Sequence, residues 1–276
     1  MPDIDLPNRV RLHWLEAGLP SGPAVVWVHG GSVEDASMMV PDLEPFFDRV
    51  RALFPDTRGH GLSTRFEGIE DYTYQRKLDD LLLWLDAIGV RQAVWGGASM
   101  GGALALWAAV HAPERVRAVV SISGPPYEPV ASDKSWWAAH RHLVAAGRFT
   151  EYFDANVRLR VGEDALARLK ARPERYEALT ASLARHSVAS LLALLDETYS
   201  RTEWLAACAR IRCPTLVIAG SEDHFPTAGM SRRVAETIPG AELHVVDGGP
   251  HFPNRSHRAE VQGVIGAFFR RIGVLA

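Results

Sequence analysis

Residues 93–102 of this chain read AVWGGASMGG, and the fold that the rest of the sequence predicts is organised around them. They hold a Gly-x-Ser-x-Gly pattern at Gly97, Ser99 and Gly101, after a short apolar run and before the buried helical pattern of residues 103–109. A serine at such a turn has strained backbone and needs small neighbours, and the helix N-terminus favours negative charge. A glycine-rich turn without chemistry would give the same pattern, so its meaning depends on the rest of the chain.

Composition sets the class of protein. The chain has 276 residues, of which 47% are hydrophobic, and we expect one domain with an insertion. A net charge of −3 without basic runs argues against a nucleic-acid partner. No apolar stretch approaches the ~18 residues of a membrane span, and the N-terminus lacks a signal-peptide pattern. We therefore expect a cytoplasmic protein with a small-molecule substrate and no membrane partner. The oligomeric state stays open, with a homodimer among the options.

The two cysteines give no sign of a metal site. Cys208 and Cys213 match no zinc-binding spacing, and Cys213 directly precedes Pro214 at the start of an apolar strand pattern. We expect reduced cysteines, no metal and no cofactor.

Short apolar runs alternate with helical patterns, which is typical of an α/β fold with a mostly parallel sheet. An alternating opening run at residues 10–15 predicts an antiparallel first strand. The buried strands are predicted at residues 24–28, 50–55, 116–123, 214–219 and 242–246, and a further short strand is predicted just before the serine turn. Their loops should meet at the carboxyl edge of the sheet, where ligands of such folds bind.

The alternation breaks between residues 127 and 207, where we find helical patterns and no convincing strand. We therefore predict a core of residues 1–126 and 208–276 and a helical cap of residues 127–207. Such a cap would cover the carboxyl edge and shape a ligand pocket.

Three residues of this cap are candidates for substrate contact. Trp136 and Trp137 lie near its start, and packing within the cap is the alternative for both. Arg141, together with Arg158 and Arg160, could pair with a charged substrate, and a solvated surface position is the alternative for each.

A histidine and a carboxylate follow the last two predicted strands. A serine becomes a strong nucleophile when a histidine takes its proton and a carboxylate orients that histidine. Ser99, Asp223 and His251 occur in the order that this chemistry requires on an α/β sheet. The competing acids are Asp247, which we expect to hold the histidine loop, and Glu222, and the competing base is His257. His29, which ends an early strand, is expected to be structural.

The chain resembles the α/β-hydrolase family over almost its whole length. The resemblance rests on residues 29–31 (HGG), 56–63 (DTRGHGLS) and 97–102 (GASMGG), together with Asp223 and His251. It implies that the backbone N–H groups of Gly31 and Met100 form an oxyanion hole.

Within the family, the second and third motifs look like those of esterases and 3-oxoadipate enol-lactonases. The third is also similar to that of hydrolases that cleave carbon–carbon bonds in ring-fission products, but those usually carry Asn at the position of Ala98. Typical epoxide hydrolases and haloalkane dehalogenases place Asp at the position of Ser99. We expect a serine hydrolase acting on a small ester or lactone. The alternatives are a carbon–carbon bond hydrolase and a ligand-binding protein that has lost turnover.

Overall fold

The structure is a computed structural model that describes residues 2–31 and 33–275, except for the side chains of Arg160 and Val161. Over these residues eight strands form one sheet. The strands are β1 (Asp3–Asp5), β2 (Arg11–Gly18), β3 (Ala24–Val28), β4 (Arg51–Pro55), β5 (Ala93–Ala98), β6 (Val116–Ile122), β7 (Thr215–Gly220) and β8 (Glu242–Val246).

The strand order is β1-β2-β4-β3-β5-β6-β7-β8. Strands β1 and β2 pair antiparallel with each other, as do β2 and β4, and the remaining neighbours pair parallel. Strand β5 lies near the middle, buried along its whole length between β3 and β6. The predicted mostly parallel α/β sheet is confirmed. Only β1, a three-residue edge strand, was not expected from the sequence.

Helices cover both faces of the sheet, because each exposes an apolar side to it. Helices α2, α3 and α9 pack on one face, and α1 and α11 on the other. The helices of the described residues are α1 (Val40–Leu43), α2 (Tyr74–Ala87), α3 (Met100–His111), α4 (Ala131–Ala145), α5 (Phe149–Val161), α6 (Glu163–Lys170), α7 (Pro173–Leu183), α8 (Val188–Ser200), α9 (Ala228–Thr237), α10 (Pro253–Ser256) and α11 (Arg258–Arg271). Short 3-10 turns lie at residues 36–38, 44–46, 69–72, 113–115 and 205–210.

Helices α4 to α8 lie between β6 and β7, and we call residues 131–200 the helical insertion. They share a hydrophobic cluster that includes Trp137, Tyr152 and Leu194. The insertion contacts the loop before α2 through Ser190, whose hydroxyl lies 2.9 Å from the Tyr72 hydroxyl and 2.9 Å from Nδ1 of His186. Burial lowers the pKa of His186 to about 3, so this histidine is neutral at pH 7.

Within the described part of the chain, no single helix has the length and hydropathy of a membrane span; only α7 and α8 taken together do, and they are bent by 91° at their junction.

Candidate active site

Ser99 lies at the sharp turn between β5 and α3. Its φ of 53° and ψ of −116° are unfavourable for a residue with a side chain. Both flanking glycines are required by the same turn, since a Cβ on Gly97 or on Gly101 would lie 2.1 Å from the Val28 carbonyl oxygen. The turn thus brings β3, β5 and α3 close together and puts Ser99 at the carboxyl edge of the sheet, on the wall of a cavity.

A chain of hydrogen bonds joins the three residues expected from the sequence. The Oγ of Ser99 lies 2.9 Å from Nε2 of His251. On the other side of the ring, Nδ1 lies 2.9 Å from Oδ2 and 3.1 Å from Oδ1 of Asp223. Because an ionised carboxylate only accepts hydrogen bonds, this network places the proton on Nδ1 and leaves Nε2 free to accept the serine proton. Asp223 and His251 follow β7 and β8, as their positions in the sequence suggested.

The competing residues lie outside this chain of hydrogen bonds. Asp247 and Glu222 are exposed, and neither carboxylate contacts His251. His257 instead pairs with the neighbouring Ser256 hydroxyl at 2.9 Å. Asp223 is further fixed by the backbone N–H of Phe225, which donates to its Oδ1 at 3.0 Å.

The expectation that Asp247 holds the histidine loop is wrong. Among the described residues, that task falls to Asp42, which accepts hydrogen bonds from Nδ2 of Asn254 and Nε1 of Trp27, both at 2.9 Å. Asn254 lies in α10, three residues after His251, whereas Asp247 is exposed. Burial raises the pKa of Asp42 to about 6, and the two hydrogen bonds work in the opposite direction.

Two backbone N–H groups are placed to bind an oxyanion. Gly31 and Met100 line the cavity together with Ser99 and His251. A Cβ built on Gly31 would lie 3.8 Å from that of Met100, so the two residues are neighbours in space. Neither N–H has a hydrogen-bond acceptor among the residues that the structure describes. Met100 is also the first residue of α3, where N–H groups lack intrahelical partners.

The two histidines near the site are structural. The Nε2 of His29 accepts a hydrogen bond from the Thr57 N–H at 3.0 Å, and its Nδ1 lies 2.6 Å from the Gly30 carbonyl oxygen. His29 therefore ties the loop after β3 to the loop after β4. His60 is also buried, and burial, followed by the proximity of His29, holds its pKa well below the usual range.

The cavity has a volume of about 450 Å³ and extends from Ser99 into the helical insertion. Its wall there includes apolar residues of α5 to α8, such as Phe153, Leu169 and Leu194. Three arginines, Arg168, Arg172 and Arg175, also line this part. All three are exposed, and none has a side-chain hydrogen bond or ion pair with any residue that the structure describes.

The cap residues named from the sequence lie elsewhere, and their assignment to substrate contact is corrected. Trp137 stacks on Tyr199 with ring centres 5.3 Å apart, and its Nε1 donates to Asp196 at 2.9 Å. Arg141 makes a bidentate pair with the same carboxylate. Trp136 stacks on His140. None of Trp136, Trp137 and Arg141 lines the cavity, because α4 turns these side chains toward α8 and its own surface.

The other two arginines named from the sequence are Arg158 and Arg160. Arg158 is exposed and pairs with Glu163 at 2.5 Å. The side chain of Arg160 lies outside the described residues. Arg158 does not line the cavity, whereas Arg168, Arg172 and Arg175, which come shortly after it in the sequence, do.

Two further charged residues of the cavity wall were missed. Glu34 and Arg255 form an ion pair at 2.6 Å beside Gly31 and His251. Each lies four residues after a motif residue, Gly30 or His251. No sequence pattern distinguishes them from ordinary loop charges, since only their contact across the site shows their place.

No three His, Cys, Asp or Glu side chains of the described residues are grouped so as to hold a metal ion.

Comparison with known proteins finds several similar hydrolases. A curated relative, 3-oxoadipate enol-lactonase 2 from Acinetobacter baylyi, is 27% identical over 86% of this chain and 85% of its own length. The pimeloyl-[acyl-carrier protein] methyl ester esterase from Xanthomonas campestris is 31% identical over 90% and 95%. Epoxide hydrolase A from Mycobacterium tuberculosis is 41% identical, but over only 43% of this chain and 37% of its own length.

Solved structures match over the whole chain. The enol-lactonase from Burkholderia xenovorans LB400 superposes with a TM-score of 0.83 at 21% identity, covering 98% of this chain and 100% of that one, which shows the shared fold. A hydrolase from Pseudomonas aeruginosa PA01 has a TM-score of 0.82 at 26% identity, with 97% of each chain covered. The family model of the alpha/beta hydrolase fold matches residues 23–257. The chain therefore belongs to the α/β-hydrolase family, in a group that resembles enol-lactonases.

Proposed function

We propose that this protein is a serine hydrolase that cleaves a small ester or lactone through an acyl-enzyme. The observation that carries the proposal is the hydrogen-bonded series Ser99–His251–Asp223 on the wall of a cavity. Family membership and the enzymes among its relatives support hydrolysis in general. The geometry supports this particular mechanism.

In the first step His251 removes the Ser99 proton through Nε2 while Oγ attacks the substrate carbonyl carbon. The resulting imidazolium is stabilised by Asp223, and the negative oxygen of the tetrahedral intermediate accepts hydrogen bonds from Gly31 and Met100. His251 then gives its proton to the leaving alkoxide, which departs as an alcohol. In a lactone the alcohol stays attached to the acyl chain. Water repeats the sequence on the acyl-enzyme and releases the acid.

The cavity supports a compact substrate. Its volume of about 450 Å³ falls at the small end of the usual range for ligand sites. Its walls are largely apolar near Met100 and Phe153, and the insertion adds arginines that have no side-chain ion pair with any described residue. The names of two relatives, a lactonase and a methyl ester esterase, point to the same bond types. An ester or lactone of modest size fits this combination best.

We expect a fluorophosphonate to label the protein once, at Ser99. The reagent mimics the tetrahedral intermediate, so labelling requires both the activated serine and the oxyanion donors. Intact-mass spectrometry before and after incubation, followed by peptide mapping, measures the site and stoichiometry. Heat-unfolded protein is the control, since a reaction that survives unfolding would be nonspecific. A folded protein that stays unmodified would contradict a serine hydrolase and favour a binding protein.

We further expect the cavity arginines to favour a substrate that carries a carboxylate. Replacing Arg172 and Arg175 by glutamine should lower kcat/KM for a carboxylate-bearing lactone about 2- to 30-fold, as expected for the loss of two solvent-exposed ion pairs. Neutral aryl esters and neutral lactones should change little. Arg158→Gln, which lies on the insertion but outside the cavity wall, is the matched control. Equal losses for charged and neutral substrates, or efficient turnover only of long-chain esters or peptides, would refute this substrate class.

A further inference from the structure

One ion pair joins the two loops that hold the proposed catalytic groups. Glu34 follows the oxyanion loop, residues 29–31, and Arg255 follows His251 in α10. The two side chains meet at 2.6 Å between Oε1 and Nη2. The Glu34 side chain is only 6% exposed, while that of Arg255 is 29% exposed. Both residues line the same cavity as Ser99.

Glu34 also determines which N–H groups remain free in the oxyanion loop. Its second oxygen, Oε2, accepts the Gly30 N–H at 3.0 Å. A Cβ on Gly30 would lie 2.7 Å from that oxygen and 3.3 Å from the ring of Phe252, so the carboxylate rests directly on this peptide. The Gly30 N–H is thereby occupied, whereas the next one along the chain, that of Gly31, has no acceptor among the described residues and belongs to a residue that lines the cavity.

Arg255 connects the same carboxylate to the histidine. Its guanidinium carbon lies 4.3 Å from the centre of the Phe252 ring, and that ring lies 4.6 Å from the ring of His251. The contact of a guanidinium with an aromatic face is attractive and directional. Arg255 therefore links the position of His251 to that of Glu34.

The charge of Glu34 would oppose the proposed reaction if it stood alone. A buried carboxylate beside the oxyanion hole repels the negative oxygen that forms in the transition state. Arg255 offsets that charge while leaving the hydrogen bond to Gly30 intact. The pair thus combines a geometric effect on Gly31 with an electrostatic one on the oxyanion.

We propose that Glu34 and Arg255 are positioning residues, which aim the Gly31 N–H at the oxyanion and keep the surroundings of the oxyanion hole neutral. This inference rests on the proposed serine hydrolase function. It adds two residues that touch neither Ser99 nor the leaving group, and that act through Gly31 and His251.

The test compares Arg255→Gln, Glu34→Gln and the double variant Glu34→Gln/Arg255→Gln by kcat and KM on a short aryl ester. Arg255→Gln leaves the carboxylate without its partner and should lower kcat about 10- to 100-fold, below the loss of a direct oxyanion donor. KM should change less than threefold, because the neutral ester does not carry the charge that develops later. Glutamine at position 34 still accepts the Gly30 N–H and removes the negative charge. The double variant should therefore be at least about fivefold faster than Arg255→Gln.

Affinity for a boronic acid that forms a tetrahedral adduct with Ser99 supplies the second readout, and it should fall in parallel with kcat. A merely structural pair would lower thermal stability and leave the ratio of boronate affinity to 1/KM unchanged. If the wild type reacts with fluorophosphonate and Arg255→Gln keeps kcat within twofold, or is no slower than the double variant, the positioning role is refuted and the hydrolase function stands. If the wild type neither reacts nor hydrolyses esters, both proposals fail together.

Discussion

Ser99→Ala is expected to lower kcat for ester hydrolysis by about 10⁴- to 10⁶-fold, in line with other serine triads. The Oγ of Ser99 lies 2.9 Å from Nε2 of His251. Among the described residues, no other hydroxyl forms a hydrogen bond with that nitrogen. Alanine removes one oxygen from a turn whose geometry is held by Gly97 and Gly101, so the fold should persist. The measurement is single-turnover and steady-state hydrolysis of a short aryl ester, with circular dichroism to confirm folding.

Ser123→Ala is the matched control for this experiment. Ser123 is also buried, also has a positive φ of 48° and also follows a central strand. Its hydroxyl takes no part in the hydrogen bonds around His251. Activity should therefore stay near that of the wild type. Retention of more than a tenth of the activity in Ser99→Ala would remove Ser99 from the nucleophilic role.

Asp223→Asn is expected to lower kcat by about 10²- to 10⁴-fold. An asparagine can turn its amide N–H toward Nδ1 of His251, which would favour the proton on Nε2 and leave no base facing Ser99. The loss should appear in the acylation step, which a burst experiment at the same ester concentration resolves. The phosphonate reaction should slow by a similar factor, because it needs the same proton transfer.

Asp247→Asn separates the two aspartates near His251 and is the control for the previous variant. Asp247 is exposed and makes no contact with the histidine. We expect kcat to stay within about twofold of the wild-type value. The melting temperature should stay within about 1 °C, as for most surface substitutions. A larger loss of kcat in Asp247→Asn than in Asp223→Asn would show that the wrong carboxylate has been assigned.

Strand ends were the most informative part of the sequence. The parallel strands β5, β7 and β8 all end at one edge of the sheet, so side chains that directly follow them are brought together whatever the loops do. Ser99, Asp223 and His251 lie in the segments that follow these strands. Their order along the chain did not exclude Asp247 or His257, which also come after Ser99. Asp247 was set aside because it lies only four residues before His251, and His257 because it lies at the start of the last helix. At Ser99 the local sequence pattern was sufficient to predict the sharp turn. Only glycine on either side of the serine tolerates the close approach of the Val28 backbone.

In the helical insertion, the sequence did not predict which side chains face the cavity. Helical periodicity correctly predicted helices in this part of the chain, yet the direction in which each helix faces depends on what packs against it. Trp136, Trp137 and Arg141 could equally have faced the cavity or the contact between α4 and α8. In the structure, Asp196 of α8 binds both Trp137 and Arg141 and decides the outcome.

The sequence by itself thus determined the α/β fold, the turn at Ser99 and the strand ends that carry Asp223 and His251, since each depends on local geometry or on the common direction of parallel strands. The tertiary structure alone decided which arginines line the cavity and that Glu34 pairs with Arg255. Those contacts join residues more than two hundred positions apart, or faces of different helices. Their energies depend on burial and distance, which no spacing along the chain encodes.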